Sequence, residues 1–214
     1  EMCIRDRAVD VAMESTSQEI LNLLKTVKTL VTDVSKFDWK NFWEQTATDE
    51  VFSTKFYYYE TSTSPNGEKL NASVGLTAVP STETVKGQDD FANHSAFQTI
   101  DCNFVIDEQE NKTPVAIKGG NGYSDIGKVD VGVMVPLTYW GIQKFDTYYI
   151  VHFATKPHPE LECTTVTPWC SKELGYGILT KYYAGQIDGI LYSSSGNAIY
   201  NFVSAQSGLS LIHI

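Results

Sequence analysis

The chain has 214 residues, a formal net charge of −10 at pH 7, and a composition that is 42% hydrophobic and 12% aromatic. This acidic balance argues against a nucleic-acid partner, because phosphate contacts need clustered Lys and Arg side chains. No apolar run approaches the roughly 18 residues of a membrane-spanning helix, so membrane insertion is not expected. The length suits one sizeable domain with an extension.

The residues at the two ends of the chain match a translation of sequencing-adapter DNA, which indicates that they are not part of the natural protein. Residues 2–7 (MCIRDR) are what a transposon end sequence used to prepare DNA sequencing libraries would encode. The reverse complement of that DNA would encode residues 209–214 (LSLIHI). We therefore interpret 1–7 and 209–214 as sequencing-adapter-derived scars and base the fold prediction on 8–208. The expectation is an internal fragment of a longer chain.

Residues 8–37 have the spacing of an amphipathic helix. Apolar residues and one Thr recur at intervals of four and three, without Gly or Pro. This a/d seam predicts a helical stalk that self-associates as a short coiled coil, either a dimer or a trimer. The alternative is a single helix packed on its own domain. The oligomerisation candidates are Met13, Ile20, Leu23, Val27, Leu30 and Val34.

Residues 38–50 form an aromatic joint between this helix and the rest of the chain. Trp39, Phe42 and Trp43 fall within five residues, and core packing is their expected role. A carbohydrate-stacking platform is the alternative interpretation.

Residues 51–208 predict a β-rich domain. Cys102, Phe104 and Ile106 alternate with polar or smaller neighbours, as expected of a half-buried strand. The same period of two runs through 129–139 and resumes at 145–153, which predicts a central hairpin with Gly141 in its connection. Pro136 lacks an N–H and is expected at an edge or bulge. The predicted fold class is α+β, an N-terminal helix followed by a mostly antiparallel β domain.

The sequence gives little support to catalysis or metal binding. There is no Gly-x-Ser-x-Gly elbow, and the acidic pairs Asp89-Asp90 and Asp107-Glu108 are typical of loops. A zinc site made of His152, His158, Cys163 and Cys170 is an alternative, but the spacings match no known zinc pattern. Cys163 and Cys170 could instead form a local disulfide or remain free. The prediction is therefore a non-enzyme with no metal and no cofactor.

Three aromatic residues are candidates for stacking against sugar rings. We expect Trp140, Trp169 and Tyr176 to lie in loops and to expose their rings, although core packing is the commoner role of such residues.

Several segments resemble, in order, the tail-fibre or minor structural proteins of gut-bacterial siphophages. They are 75–84 (GLTAVPSTET), 87–92 (GQDDFA), 101–104 (DCNF), 129–134 (VDVGVM), 181–185 (KYYAG) and 189–196 (GILYSSSG). The resemblance implies a virion component, assembled in the bacterial cytoplasm, that contacts other tail proteins and a bacterial surface glycan or protein. The alternatives are a cell-surface glycan hydrolase (a depolymerase domain) and a monomeric bacterial adhesion or carbohydrate-binding module.

Overall fold

The computed structural model describes residues 34–59 and 67–196, which fold mainly as antiparallel β-structure with one short α-helix. The antiparallel β prediction is thereby confirmed. In chain order the strands are β1 (Val51–Tyr57), β2 (Glu68–Asn71), β3 (Ala78–Val79), β4 (Gln88–Asp89), β5 (Ile100–Ile106), β6 (Lys112–Ile117), β7 (Asp130–Pro136), β8 (Tyr139–Lys144), β9 (Tyr148–Ala154), β10 (Thr165–Val166), β11 (Cys170–Ser171), β12 (Tyr176–Thr180), β13 (Gly185–Ile187) and β14 (Ile190–Tyr192).

The helix, α1 (Trp39–Thr46), carries the aromatic joint. The Asp38 carboxylate caps it by accepting a hydrogen bond from the Asn41 backbone N–H at 3.0 Å. Spacings of three and four put Trp39, Phe42 and Trp43 on one face of the helix, and all three are buried. Their rings are therefore core, as predicted, and a stacking platform for carbohydrate at this joint is excluded.

A 3₁₀ turn, Val34–Lys36, precedes this helix and packs into the same core. The Trp39 indole Nε1 donates a hydrogen bond to the Val34 carbonyl oxygen at 2.9 Å. Val34, expected at the helical seam, is thus buried within its own domain, and Phe37 packs partly buried beside it. The other five seam candidates lie outside the described residues: Met13, Ile20, Leu23, Val27 and Leu30.

Two five-stranded sheets contain ten of the fourteen strands of the described chain. Sheet one has the order β10-β8-β9-β1-β2, and sheet two has the order β11-β12-β7-β5-β6. The main core lies between α1 and sheet two, where Ile100, Cys102 and Phe104 project from β5. Alternation predicts this side of β5 correctly for Cys102 and Phe104, whereas Ile106, expected on the same side, is 46% exposed at the end of the strand. A smaller core on sheet one contains Val51, Tyr139, Ala154 and Cys163.

The predicted central hairpin is wrong in its pairing. Strand β7 belongs to sheet two, whereas the segment expected as a connection, with Gly141 in it, is β8 of sheet one. The hairpin that does form joins β8 to β9 through 145–147. Gly141 is needed for close approach rather than for a turn, since a Cβ there would lie 2.0 Å from the Glu162 carbonyl oxygen.

Pro136 is the last residue of β7, where it is paired on one side only. Its partner is Tyr176 of β12, while the pairing of β7 with β5 ends at Met134. The missing N–H therefore interrupts no ladder.

Candidate functional site

A cleft of about 420 Å³ opens beside sheet two. One wall is the start of β6 and its turn, Glu110, Asn111 and Lys112. The other wall is contributed by 168–171, Leu174 and 176–179. This volume is within the range of about 300–1,000 Å³ that is usual for ligand sites.

The two walls meet because sheet two curves back on itself. Strands β12 and β6 are separated by β7 and β5, so in a flat sheet they would be about 14 Å apart. Nevertheless, Lys112 Nζ donates a hydrogen bond to the Ile178 carbonyl oxygen at 3.0 Å. In addition, Tyr176 Oη donates to the Lys112 carbonyl oxygen at 3.4 Å. These two bonds join the edges that frame the cleft.

Trp169 is the exposed aromatic residue of the cleft, with 46% of its surface accessible. It lies in a turn that is closed by a hydrogen bond from the Cys170 N–H to the Thr167 carbonyl at 3.0 Å. Gly177 allows the backbone of this turn to sit directly on β12, because a Cβ at Gly177 would lie 2.1 Å from the Trp169 carbonyl oxygen. The indole is therefore held at the rim by a fixed backbone rather than by a loose loop.

Tyr176 also lines the cleft, but it is neither exposed nor in a loop. It is the first residue of β12 and is 6% exposed within the main core. Burial raises the pKa of its phenol, so the hydroxyl stays protonated and acts as a donor. Tyr176 therefore contributes to the floor of the cleft, not to a stacking surface.

Trp140 lies away from the cleft, contrary to the expectation of an exposed loop residue. It is a half-buried residue of β8 in sheet one. Its indole Nε1 is buried without a hydrogen-bond partner among the described residues. The structure thus brings Trp169 and Tyr176 together and leaves Trp140 in the packing of sheet one.

The polar groups of the cleft were missed by reasoning from the sequence. Burial lowers the pKa of Lys112, whose ammonium also lies 5.5 Å from the Phe104 ring centroid. Glu110 is exposed and is the one carboxylate among the lining residues. The hydrophilic turn that holds these residues gives no local sign of a site, because Trp169 is almost 60 positions away. The arrangement can stack one ring of a ligand and bond its polar groups.

A Ser–His pair lies in sheet one, but it is sealed from solvent. Ser53 and His152 are neighbours on β1 and β9, and Ser53 Oγ lies 2.8 Å from His152 Nδ1. His152 Nε2 lies 3.0 Å from Gln143 Oε1, and burial lowers the pKa of the imidazole. A neutral ring that donates to Gln143 and accepts from Ser53 satisfies both contacts. With Ser53 1% and His152 2% exposed, this chain of hydrogen bonds is structural.

The zinc alternative finds no support in the positions of its four residues. His158 Nδ1 pairs with Glu160 Oε1 at 3.1 Å, and the Cys170 thiol donates to the Pro136 carbonyl at 3.3 Å. Cys163 and Cys170 are both free thiols, and burial raises the pKa of Cys163 to about 11. Within 34–59 and 67–196, no three His, Cys, Asp or Glu side chains are grouped as metal ligands would be.

Comparison with known proteins identifies no relative: no family model, no curated protein and no solved structure matches this chain. Among the described residues there is also no helix with the length and apolar character required to cross a bilayer. The geometry of the site is therefore the basis on which a function can be argued.

Proposed function

We propose that this chain is a non-catalytic, adhesive component of a phage tail that helps the virion engage a glycan on a bacterial surface. The observation that carries this proposal is the exposed indole of Trp169 at the rim of a cleft that also holds Glu110 and Asn111. An aromatic face combined with a few polar groups suits a sugar, which has both an apolar ring face and hydroxyl groups.

Self-association through the part of 8–37 that precedes Val34 is the second part of the proposal. Because Val34 is buried in the domain core, the seam is assigned to Met13, Ile20, Leu23, Val27 and Leu30, acting as a dimer or trimer. Weak single sites become strong when an oligomer presents several of them to one surface. Other tail proteins are the expected further partners, and the virion is the expected location.

A depolymerase is the main rival function. Two-carboxylate glycoside hydrolysis needs a second acid about 5–9 Å from the first, and Glu110 is the one carboxylate lining the cleft. The Ser53–His152 pair is buried, so it offers no accessible nucleophile. Both observations favour binding without turnover.

Glycan binding is tested with Trp169→Ala. Binding of the chain to soluble bacterial surface polysaccharides should fall about tenfold, because the stacking ring is lost. The matched control is Trp140→Phe, which changes an indole outside the cleft and should bind as the unmodified chain does. Equal binding by all three proteins, or release of reducing ends during incubation, would refute the proposal.

Self-association is tested by the mass of residues 8–208 in solution, measured by light scattering. The proposal requires a dimer or trimer that becomes monomeric with Ile20→Asp and Leu30→Asp together. A monomer in both proteins would favour the alternative of a monomeric adhesion module that binds through the cleft alone.

A further inference from the structure

A second group of aromatic residues lies at the end of sheet one where β1 finishes beside the turn between β8 and β9. Pairing of β1 with β9 sets Phe56 opposite Tyr149 and Tyr57 opposite Tyr148. The Tyr58 N–H extends the ladder by donating to the Thr147 carbonyl at 3.1 Å. We call this group the aromatic tip, comprising Phe56, Tyr57, Tyr58, Tyr59, Phe145, Tyr148 and Tyr149.

Six of the seven rings of the aromatic tip, all except Tyr59, contact another ring of the group. Phe145 stacks on Tyr148 with centroids 4.6 Å apart, and Phe56 stacks on Tyr149 at 5.4 Å. Tyr58 lies 5.5 Å from Tyr149. Such contacts restrict the side chains before any ligand arrives, so a ligand meets a surface that is already ordered.

Core packing does not account for these rings. Tyr57, Tyr58 and Phe145 are 43–46% exposed and Tyr59 is 81% exposed. No member of the aromatic tip belongs to either hydrophobic core of the described chain. Four neighbouring exposed rings differ from apolar residues that are exposed singly, so they call for an explanation other than packing.

The charges at the tip favour an uncharged ligand. Lys55 Nζ lies 4.6 Å from the ring centroids of both Tyr57 and Tyr148, and 3.2 Å from the Glu68 carboxylate. The cation is therefore balanced locally by an anion. Because the chain as a whole carries a net charge of −10, an anionic ligand would also be repelled at long range.

The size of the tip favours a small ligand over a protein. Adjacent residues of a strand point to opposite faces, so the Phe56–Tyr149 and Tyr57–Tyr148 pairs lie on opposite sides of the sheet. The exposed parts of four such side chains amount to a few hundred Å², divided between two faces. A stable protein partner needs roughly 800 Å² on each side.

We infer that the aromatic tip is a second carbohydrate-binding site, separate from the cleft at Trp169, which stacks the ring faces of neutral sugar residues. This inference rests on the proposed function, since it assigns another contact to the same kind of ligand. Tyr rings suit the role because they combine an apolar face with a hydroxyl that donates or accepts hydrogen bonds.

The test measures binding of the chain to three soluble neutral polysaccharides, a glucan, a mannan and a galactan, by affinity electrophoresis. The tip variant is Tyr57→Ala with Tyr58→Ala, and the cleft variant is Trp169→Ala. Tyr183→Ala is the matched control, because Tyr183 is 80% exposed and lies outside both sites. Thermal melts establish that each variant is folded, and Tyr58→Phe alone retains the ring if the double variant unfolds.

The inference predicts about a tenfold loss of affinity for at least one polysaccharide in the tip variant, with Tyr183→Ala unchanged and Tyr58→Phe close to the unmodified chain. A loss in the cleft variant alone would overturn the aromatic tip as a site and leave the proposed function intact. A fall in solution mass of the tip variant with unchanged polysaccharide binding would identify a contact between copies, and would also overturn it. Failure of the unmodified chain to bind any of the three, or any bacterial polysaccharide, would overturn both.

Discussion

The ammonium of Lys112 donates a hydrogen bond to the carbonyl oxygen of Ile178 at 3.0 Å, which joins the β6 edge of sheet two to β12. Because two other strands lie between β6 and β12, this bond exists only in a strongly curved sheet. The cleft at Trp169 is a consequence of that curvature. Substitutions that reduce the curvature of sheet two should therefore lower the stability of the chain and weaken ligand binding in the cleft.

Lys112→Met should lower the free energy of unfolding by about 1–2 kcal/mol, because the Ile178 carbonyl loses its partner. The loss is limited, since burial already lowers the pKa of Lys112 and removing the charge relieves part of that penalty. Urea unfolding measures the change. The control is Lys118→Met, which removes a more exposed pair with Asp101 and should cost about 0.5 kcal/mol or less. Equal costs for the two variants would contradict a structural role for the Lys112 bond.

Gly141→Ala should destabilise the chain by about 3 kcal/mol. The added Cβ would lie 2.0 Å from the Glu162 carbonyl oxygen and 2.8 Å from Cys163 Cα, and backbone atoms cannot move aside as a flexible side chain can. Gly120→Ala is the comparison, since its nearest contact is 3.1 Å and about 1 kcal/mol or less is expected. Similar melting temperatures for Gly141→Ala and Gly120→Ala would show that the backbone of Glu162 and Cys163, which lies against Gly141, can move aside.

Gly177→Ala should weaken glycan binding. The new Cβ would lie 2.1 Å from the Trp169 carbonyl oxygen, so the turn that presents the indole has to shift. Affinity electrophoresis measures the effect, which we expect to be at least several-fold. At a temperature where both proteins are folded, Gly141→Ala serves as the control, because its clash lies away from the cleft. Undiminished binding by Gly177→Ala would mean that the position of Trp169 does not matter.

His152 should make the chain less stable in acid. The pKa of an unfolded His is about 6.5, whereas burial lowers the pKa of His152 in the folded state. Below about pH 6.5 the unfolded state consequently binds more protons, and the free energy of unfolding falls with pH. This contribution is complete above about pH 6.5 and is lost as the pH falls through the folded-state pKa.

The measurement for this prediction is urea unfolding between pH 7.5 and pH 5. His152→Gln should be less stable at neutral pH, because it disturbs the contacts with Ser53 and Gln143, yet its stability should decline less steeply in acid. Parallel pH profiles for the two proteins would exclude His152 as the titrating group.

The sequence by itself determined the local features of the fold. Alternation predicts that Cys102 and Phe104 share one face of a strand, and both are buried on that face in sheet two. The crowding of Trp39, Phe42 and Trp43 into five residues likewise predicts that their rings are core, and all three are buried, but the sequence reasoning does not predict the helix that carries them. The alternation is readable because the backbone of a strand repeats every two residues, whatever lies opposite, and clustered large aromatic rings are readable because they need a core to cover them.

Only the tertiary structure decided which strands pair and where a site forms. The continuous alternation from 129 to 139 conceals a change of sheet between β7 and β8, since period two is the same in either sheet. Gly141 resembles a turn residue in sequence, and only the backbone of Glu162 above it gives its actual role. The cleft depends on the hydrogen bond between Lys112 and Ile178, which are 66 positions apart in the sequence. No local period in the sequence encodes such a contact.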